Sequence, residues 1–224
     1  AAGGTVMEDC RVLEACREGK YTSVLVQTHD KKYVEYRTEH FVNALGSGAG
    51  KLCDSMGIDA GLYPVRHQAF ITRRLPMLGK HGTNLDMLID RQDYKGFSAV
   101  YGQQIAYTGQ IIGCASPKLD AMRIDKNLKV NTKAFLEIVS EMFSEWIPDL
   151  AGVGIQAVWA GYYTEPRYIV DPELGLFVGM RGHGFMLSQY IARMYVDKLL
   201  GRPVPEYFEK LKLNGPGLSE KAFK

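Results

Sequence analysis

The chain has 224 residues, 46% of them apolar, and 27 Lys and Arg against 25 Asp and Glu give a formal net charge of +2. This near balance offers no electrostatic basis for binding nucleic acid or an anionic membrane surface. No segment reaches the roughly 18 uninterrupted apolar residues of a membrane span. We therefore expect a cytoplasmic, globular protein with no nucleic-acid partner and no membrane span.

Cysteine and histidine spacing argues against a metal site. None of Cys10, Cys16, Cys53 and Cys114 forms a C-x-x-C pair, and the five histidines include no H-x-x-x-H pair. Both patterns are the usual signatures of zinc ligands. We expect reduced, structural thiols and no bound metal.

The first quarter of the chain has the pattern of a small β-sheet. Tyr21–Thr28 and Tyr33–Tyr36 alternate on either side of a polar tetrapeptide, which indicates a hairpin or a three-stranded meander. A short apolar strand is expected from His40 to Leu45. A short helix over residues 51–56 should follow it and end at Gly57.

The middle of the chain combines short strands with one clear helix. Glycines punctuate apolar runs at His67–Thr72, Met87–Asp90, Phe97–Tyr101 and Gln103–Ile112, which predicts an antiparallel or mixed sheet. A helix is predicted from Thr132 to Ile147, because its apolar residues recur at spacings of three and one. Pro148 should stop it.

The last third predicts a strand from Gly154 to Thr164, a short buried strand at Leu176–Gly179 and a helix from Phe185 to Leu200. Gly201 should end that helix. Beyond residue 205 the chain is polar and basic, and we expect a C-terminal tail.

A glycine-rich segment, Gly46–Lys51, suggests phosphate binding at first sight. It is not a P-loop, because Leu52 stands where Ser or Thr is required, and Lys51 breaks the G-x-G-x-x-G spacing. The remaining interpretation is a turn at a strand end, where glycine lets the backbone approach another group closely.

The segment Gly179–Phe185 is more specific, because it joins a buried strand directly to a long helix. Gly182 and Gly184 leave the backbone N–H groups accessible to a flat ligand. The helix N-terminus adds about half a positive charge, which favours a ligand that gains negative charge. The alternative is a tight structural turn.

Two further sets of residues are ambiguous. Tyr162 and Tyr163 could line a pocket, but alternation along a strand also explains them as packing. Four arginines are candidates for binding a carboxylate, although most arginines are simply solvated. These are Arg66, Arg73, Arg167 and Arg181.

Four segments together resemble the C-terminal part of the D-amino-acid oxidase family, which includes glycine and sarcosine oxidases and dye-linked proline dehydrogenases. Val42–Gly46 is similar to its V-N-A-A-G strand end, and Tyr63–Gln68 to its P-x-R-x-Q motif. Arg181–Phe185 is similar to its S-G-H-G-F loop, and Tyr168–Asp171 to an aromatic–aliphatic–aliphatic–Asp run of sarcosine oxidases. The resemblance covers roughly residues 1 to 200.

The resemblance implies an α+β fold. It would comprise part of an FAD-binding domain, without its N-terminal dinucleotide-binding βαβ unit, and a mixed-sheet substrate domain. We expect the partial FAD-binding domain at 1–62, the substrate domain at 63–172, a return to the first domain at 173–204 and the tail at 205–224. FAD binding should then need the missing N-terminal segment or another subunit.

The resemblance also implies flavin-dependent oxidation of a small amine or amino acid. A hydride would leave the carbon bearing the amine for FAD, and the resulting imine would hydrolyse. His183 and Tyr163 are the expected catalytic residues, and Tyr162, Tyr163, Arg66 and Arg181 the expected substrate residues. The expected cofactor contacts are Ala44, Gly46, Gly182, His183, Gly184, Phe185 and Met186.

Departures from the family pattern refine this expectation. Gly161 stands where sarcosine oxidase attaches its flavin through a cysteine, so FAD should be noncovalent. Met186 stands in place of a lysine that meets the substrate carboxylate, which leaves that anchor open. Ile111 stands in place of a lysine that promotes reaction with oxygen, which favours a dehydrogenase with another acceptor. The alternative is a non-catalytic subunit or remnant that keeps the fold for partner binding.

Overall fold

The computed structural model describes residues 3–79, 84–94, 97–117, 128 and 132–217. It contains two compact units, one formed by residues 1–63 with 163–224 and the other by residues 64–162. The first division lies one residue from the limit that the sequence suggests. The return to the first unit falls inside the long strand Ile155–Glu165 rather than at residue 173, and the expected domain limits stay predictions.

The first unit begins with an antiparallel meander of β1 (Arg11–Glu18), β2 (Tyr21–Gln27) and β3 (Tyr33–Thr38). This confirms a meander at this place and adds β1, which sequence analysis missed. Ala15 is the one buried residue of β1, so that strand lacks the alternation by which strands are recognised.

The predicted strand from His40 to Leu45 is wrong. Asn43 alone pairs there, in an isolated parallel bridge to Leu176, because the chain turns at once into the 3-10 turn Gly46–Gly48. The predicted helix follows as α1 (Ala49–Ser55). Gly57 ends it with a φ of +70°, a conformation that glycine adopts readily.

The rest of the first unit is a two-stranded antiparallel sheet and a helix. β9 (Ile169–Asp171) pairs with β10 (Leu176–Val178), and α3 (Gly184–Leu199) confirms the predicted last helix. The α1 side of this sheet packs Ile169, Leu176 and Val178 against Ala49 and Cys53.

The segment expected to be a polar tail contributes to the core of the first unit. Phe208 and Leu211 are 0% and 1% exposed and pack with residues of α3 and β9. Arg167 donates hydrogen bonds to the carbonyls of Leu213 and Gly215, which fixes the chain beyond them. The few apolar residues scattered through this polar segment give no periodic signal, although Phe208 and Leu211 suffice to anchor it.

The second unit is built on a five-stranded sheet in the order β5-β6-β7-β4-β8. Its strands are β4 (Tyr63–Thr72), β5 (Leu88–Tyr94), β6 (Phe97–Ile105), β7 (Gln110–Pro117) and β8 (Ile155–Glu165). The single strand predicted from Gln103 to Ile112 is wrong, because a tight turn divides it into the antiparallel pair β6 and β7. Gly109, with a φ of +66°, ends that turn.

The helix α2 (Thr132–Trp146) confirms the predicted amphipathic helix. Its apolar face forms one core with the sheet, in which the Phe70 and Phe143 rings meet edge to face at 5.4 Å. Pro148 starts a short 3-10 turn after the helix ends. The buried residues of α2 include Phe135, Ile138, Val139, Met142 and Phe143.

Candidate active site

Two loops of the first unit, one after Asn43 and one after β10, begin side by side. The Asn43 N–H donates to the Gly175 carbonyl at 2.7 Å, and the Phe177 N–H donates to the Asn43 carbonyl at 3.0 Å. Because this bridge is parallel, the residues after Asn43 and those after β10 emerge at one edge. Ligands of α/β proteins characteristically bind at the carboxyl ends of parallel strands.

Asn43 shapes the first of these loops. Its side chain is 0% exposed, donates to the Ala49 carbonyl at 3.0 Å and accepts from the Leu45 N–H at 3.3 Å. The loop residues Ala44 to Ser47 are exposed. At Gly46 a β-carbon would meet nothing within 4 Å, so the predicted contact residue Gly46 presents open backbone, and the predicted contact residue Ala44 is exposed beside it.

The second loop follows β10 and is shaped by close packing. Gly179 has a φ of +72°, and a β-carbon there would collide with the Arg167 carbonyl, so no other residue fits. A β-carbon on Gly184 would come within 2.8 Å of the Met180 Cβ. Arg181 itself has a φ of +49°, a left-handed conformation uncommon outside glycine.

Tyr163 packs directly on this loop. A β-carbon on Gly182 would lie 2.8 Å from Cε2 of the Tyr163 ring, so the glycine permits the ring to rest on the loop backbone. The predicted substrate residue Tyr163 and the predicted cofactor residue Gly182 are therefore neighbours. Tyr163 is half-buried, which suits a pocket wall with one polar tip.

His183 is held by a second tyrosine. The Tyr168 hydroxyl lies 2.7 Å from His183 Nδ1. Tyr168 is 6% exposed, whereas His183 is exposed. The hydrogen bond therefore anchors the inner side of the imidazole and leaves its outer side toward the surface.

Arg181 forms an ion pair within the same loop region. Its Nε lies 2.6 Å from Glu165 Oε2, with side chains 26% and 15% exposed. The Glu165 carboxylate compensates the guanidinium charge. If Arg181 bound a substrate carboxylate, its guanidinium would therefore interact with Glu165 and the substrate at the same time. Its predicted role in substrate binding stays a prediction.

The first turn of α3 presents an open N-terminus. His183 occupies the N-cap position without a side-chain capping bond, and no acidic residue lies in the first turn. Among the described residues no side chain caps the first-turn N–H groups, so these groups and the positive end of the helix dipole can meet a ligand. The predicted contact residues Phe185 and Met186 are 97% and 68% exposed.

Other predicted residues belong to the second unit. Arg66 is 7% exposed, on the same face of β4 as Gln68 and Phe70. Tyr162 is half-buried. At Gly161 a β-carbon would meet nothing within 4 Å. The roles of Arg66 and Tyr162 in binding substrate stay predictions.

The interpretation of Ile111 needs correction. It is 3% exposed in the core between the sheet and α2, where a lysine would be buried in an apolar environment. It therefore does not mark the position of an oxygen-activating lysine. No strand of the five-stranded sheet contains a lysine on either face, however.

Sequence reasoning missed three residues that organise the site: Asn43, Glu165 and Tyr168. Asn43 stood only in the segment similar to the V-N-A-A-G strand end, without a role of its own, and Glu165 carried no local signal, because its partner Arg181 lies in a loop. Tyr168 stood only in an aromatic–aliphatic–aliphatic–Asp run, and its hydroxyl beside a buried strand was the available signal. Among the described residues, no group of three possible ligands suits a metal ion, and no helix has the length and apolarity to cross a membrane.

Comparison with known proteins identifies the family. Residues 1–198 match the family DAO, FAD dependent oxidoreductase. The chain therefore belongs to this family of FAD-dependent oxidoreductases. No curated protein matches the chain.

Solved structures share the fold. Glycine oxidase from Geobacillus kaustophilus matches with a TM-score of 0.65 at 17% identity, over 92% of this chain and 52% of that one. Iminodiacetate oxidase from Chelativorans sp. BNC1 matches with a TM-score of 0.64 at 14% identity, over 93% and 53%. Glycerol-3-phosphate dehydrogenase from Bacillus halodurans, solved with FAD, matches at 0.57 and 14%, over 96% and 43%. The chain thus spans about half the length of these relatives.

The loops fit the ring portion of FAD. The exposed residues Ala44, Gly46 and Ser47 and the first turn of α3, which no described side chain caps, can offer backbone N–H groups, whereas the Leu45 N–H is taken by the Asn43 side chain. Such groups suit the polar edge of a flat ring that gains negative charge. The chain contains no G-x-G-x-x-G for the pyrophosphate.

Proposed function

We propose that the protein is the ring-facing and substrate-binding portion of an FAD-dependent amine or amino-acid dehydrogenase. The observation that carries the proposal is the meeting of Tyr163, Gly182 and His183 at the start of α3. The half-buried ring of Tyr163 provides a wall for a small ligand. The backbone of Gly182 provides an N–H donor, and the exposed imidazole of His183 provides a polar group.

FAD, when bound, accepts a hydride from the carbon that bears the amine. The protein's part is to hold and orient. The first-turn N–H groups of α3 and the exposed backbone at Ala44 and Gly46 would face the cofactor. Gly182, Gly184, Phe185 and Met186 would complete the contact. Helix and backbone dipoles that are fixed before reaction stabilise developing negative charge without reorganisation.

Tyr163 and His183 would border the substrate. The Tyr163 ring supplies an apolar wall, and its hydroxyl can orient an amine without adding charge. Tyr162, Arg66 and Arg181 are proposed as further substrate residues. Arg181 is one possible cation for a carboxylate, and Glu165 would then tune its charge.

FAD is proposed to bind noncovalently, because Gly161 offers no nucleophile where a covalent flavin would be attached. A dehydrogenase is proposed because no lysine lies on the five strands of the sheet to promote reaction with oxygen. The electron acceptor would then be a dye-like carrier or another protein.

We also propose that tight FAD binding needs a dinucleotide-binding segment outside these 224 residues, on the same or another polypeptide. Titration of the 224-residue protein with FAD should give weak binding or none. Submicromolar affinity would contradict this part of the proposal. The proposed location is cytoplasmic, in keeping with four free cysteines.

The decisive experiment uses the complete flavoenzyme. It is mixed anaerobically with a panel of small amino acids and amines while the flavin's visible absorption is followed. Bleaching by one of them is expected, with faster reoxidation by an artificial dye than by oxygen. A tightly bound flavin that no compound in the panel reduces would favour the non-catalytic alternative.

The matched variants are Tyr163→Phe and Tyr163→Ala. The alanine variant should raise KM and lower kcat, because the pocket wall is lost, whereas the phenylalanine variant isolates the hydroxyl. Unchanged kcat and KM in the alanine variant would show that Tyr163 only packs.

A further inference from the structure

Tyr168 and His183 form a buried-to-exposed pair at the start of α3. The hydroxyl lies 2.7 Å from Nδ1, and the two rings are tilted by 50° with centroids 6.4 Å apart. Tyr168 adjoins β9, and its ring packs in the core with Ile191 and Met194 of α3. The hydroxyl is therefore carried by a well-packed ring, which gives it a defined position.

The chemistry of the two groups favours one direction for this hydrogen bond. A phenol has a pKa near 10 and is a better donor than a neutral imidazole N–H, while an unprotonated imidazole nitrogen is a better acceptor than a phenol oxygen. A hydroxyl that donates to Nδ1 leaves the ring proton on Nε2. Nε2 lies on the far side of the ring from Nδ1, toward the exposed side.

We propose that Tyr168 is a positioning residue that fixes His183 as its Nε2–H tautomer, so that a neutral N–H donor is presented beside the open N-terminus of α3. Nδ1 then cannot donate, and the ring cannot flip without losing the bond. The imidazole donor and the first-turn N–H groups would act on the same ligand, one that gains negative charge.

The proposed tautomer rests on the hydrogen bond between Tyr168 and His183. Its use in the reaction rests on the function proposed above. A donor fixed in advance needs no reorientation when charge develops, which is the basis of its effect on rate.

The direct test is long-range ¹H–¹⁵N NMR of the protein labelled at its histidines, at a pH of about 8.5 where ordinary imidazoles are neutral. The five histidines are resolved by comparison with His183→Gln. In the unchanged protein, His183 should show an unprotonated Nδ1 and a protonated Nε2. In Tyr168→Phe, both signals should shift toward the averaged positions of a ring that exchanges between tautomers.

The matched control is Tyr190→Phe, which removes a hydroxyl from α3 that bonds to Tyr207 at 2.9 Å. It should leave the His183 signals unchanged. A protonated Nδ1 in the unchanged protein, or identical His183 signals in Tyr168→Phe, would overturn the proposal.

Activity separates this proposal from the one on which it rests. In the complete flavoenzyme, Tyr168→Phe should slow substrate-dependent flavin reduction about five-fold, as for the loss of one hydrogen bond, with KM little changed. If NMR shows the Nε2–H tautomer but no substrate reduces the flavin, the proposed function is refuted and the tautomer assignment stands. A shifted tautomer with an unaltered rate would overturn the proposed use of His183 as a donor.

Discussion

Gly182 lies against the ring of Tyr163, and a β-carbon on the glycine would come within 2.8 Å of Cε2 and 3.3 Å of Cζ. The loop before α3 can lie this close to the end of β8 because residue 182 has no side chain. This contact joins a residue predicted to bind substrate with one predicted to bind the cofactor.

Gly182→Ala should displace the Tyr163 ring, because contacts below 3.0 Å force one group to move. We expect a loss of about 1–3 kcal/mol in the free energy of unfolding, as for other overpacked sites. In the complete flavoenzyme we expect at least about a 10-fold loss of kcat/KM, because misplacement near the chemistry is costly. Denaturant unfolding and steady-state kinetics measure the two effects.

A double mutant isolates the cause. If the clash with the ring is responsible, Gly182→Ala should cost much less stability when Tyr163 is already alanine. Equal losses in both backgrounds would show that the backbone at residue 182, rather than the Tyr163 contact, requires glycine.

Arg181 combines a strained backbone with an ion pair, and the two can be separated. Arg181→Gly relieves the left-handed conformation, worth roughly 1 kcal/mol, while Arg181→Gln keeps the strain; both lose the bond to Glu165. The glycine variant should therefore unfold at higher urea concentration than the glutamine variant. If the Arg181→Gln variant were the more stable of the two, the backbone of residue 181 would not be strained.

The same variants test the carboxylate anchor. In the complete flavoenzyme, Arg181→Gln should raise KM for amino acids much more than for amines that lack a carboxylate. An equal rise for both classes would remove Arg181 from the list of anchors and leave it a structural partner of Glu165.

Local patterns were enough to predict much of the fold. The apolar residues of α2 lie on one face, and Gly57 and Gly201 end their helices in the left-handed conformation, so propensity and tertiary structure agree. The meander and α3 are recognisable for the same reason. The single strand predicted at residues 103–112 was wrong, because apolar residues lie on both sides of a hairpin turn. Little in the sequence besides Gly109 marks that turn.

The candidate site was predictable only in part. The loop Gly179–Gly184 is visible in sequence because glycines between a strand and a helix are a local pattern. The parallel bridge of Asn43 to Leu176 spans more than a hundred residues, and single residues that pair at such a distance leave no periodicity. The contacts of Tyr168 with His183 and of Glu165 with Arg181 also join single residues across a turn, so they leave no periodic pattern either.

Phe208 tests the contribution of the C-terminal segment. It is 0% exposed and packs with β9 and α3, so Phe208→Ala should lower the free energy of unfolding by about 3–5 kcal/mol. The neighbouring Tyr207 is 38% exposed, and Tyr207→Ala should cost only about 1 kcal/mol. Similar, small losses in both variants would mean that the segment does not belong to the core.

Tyr195 makes stability depend on alkaline pH. It is 4% exposed, and its hydroxyl has no hydrogen-bond partner among the described residues. Burial, reinforced by Asp171, raises the pKa of Tyr195 to about 12 from its usual 10. The folded state therefore keeps this proton while the unfolded state loses it, so stability is present below pH 10 and falls as pH rises toward 12.

The expected loss from Tyr195 is about 1.4 kcal/mol for each pH unit in this window. Urea unfolding at pH 9 and pH 11 measures it, and Tyr195→Phe is the matched variant because it keeps the ring and cannot ionise. At pH 9 the variant should be at least as stable as the unchanged protein, since it removes a buried hydroxyl that has no partner among the described residues. At pH 11 its advantage should be larger than at pH 9, because other alkaline titrations are common to both proteins. An equal loss of stability in both proteins between pH 9 and pH 11 would show that Tyr195 ionises as readily in the folded state as in the unfolded one.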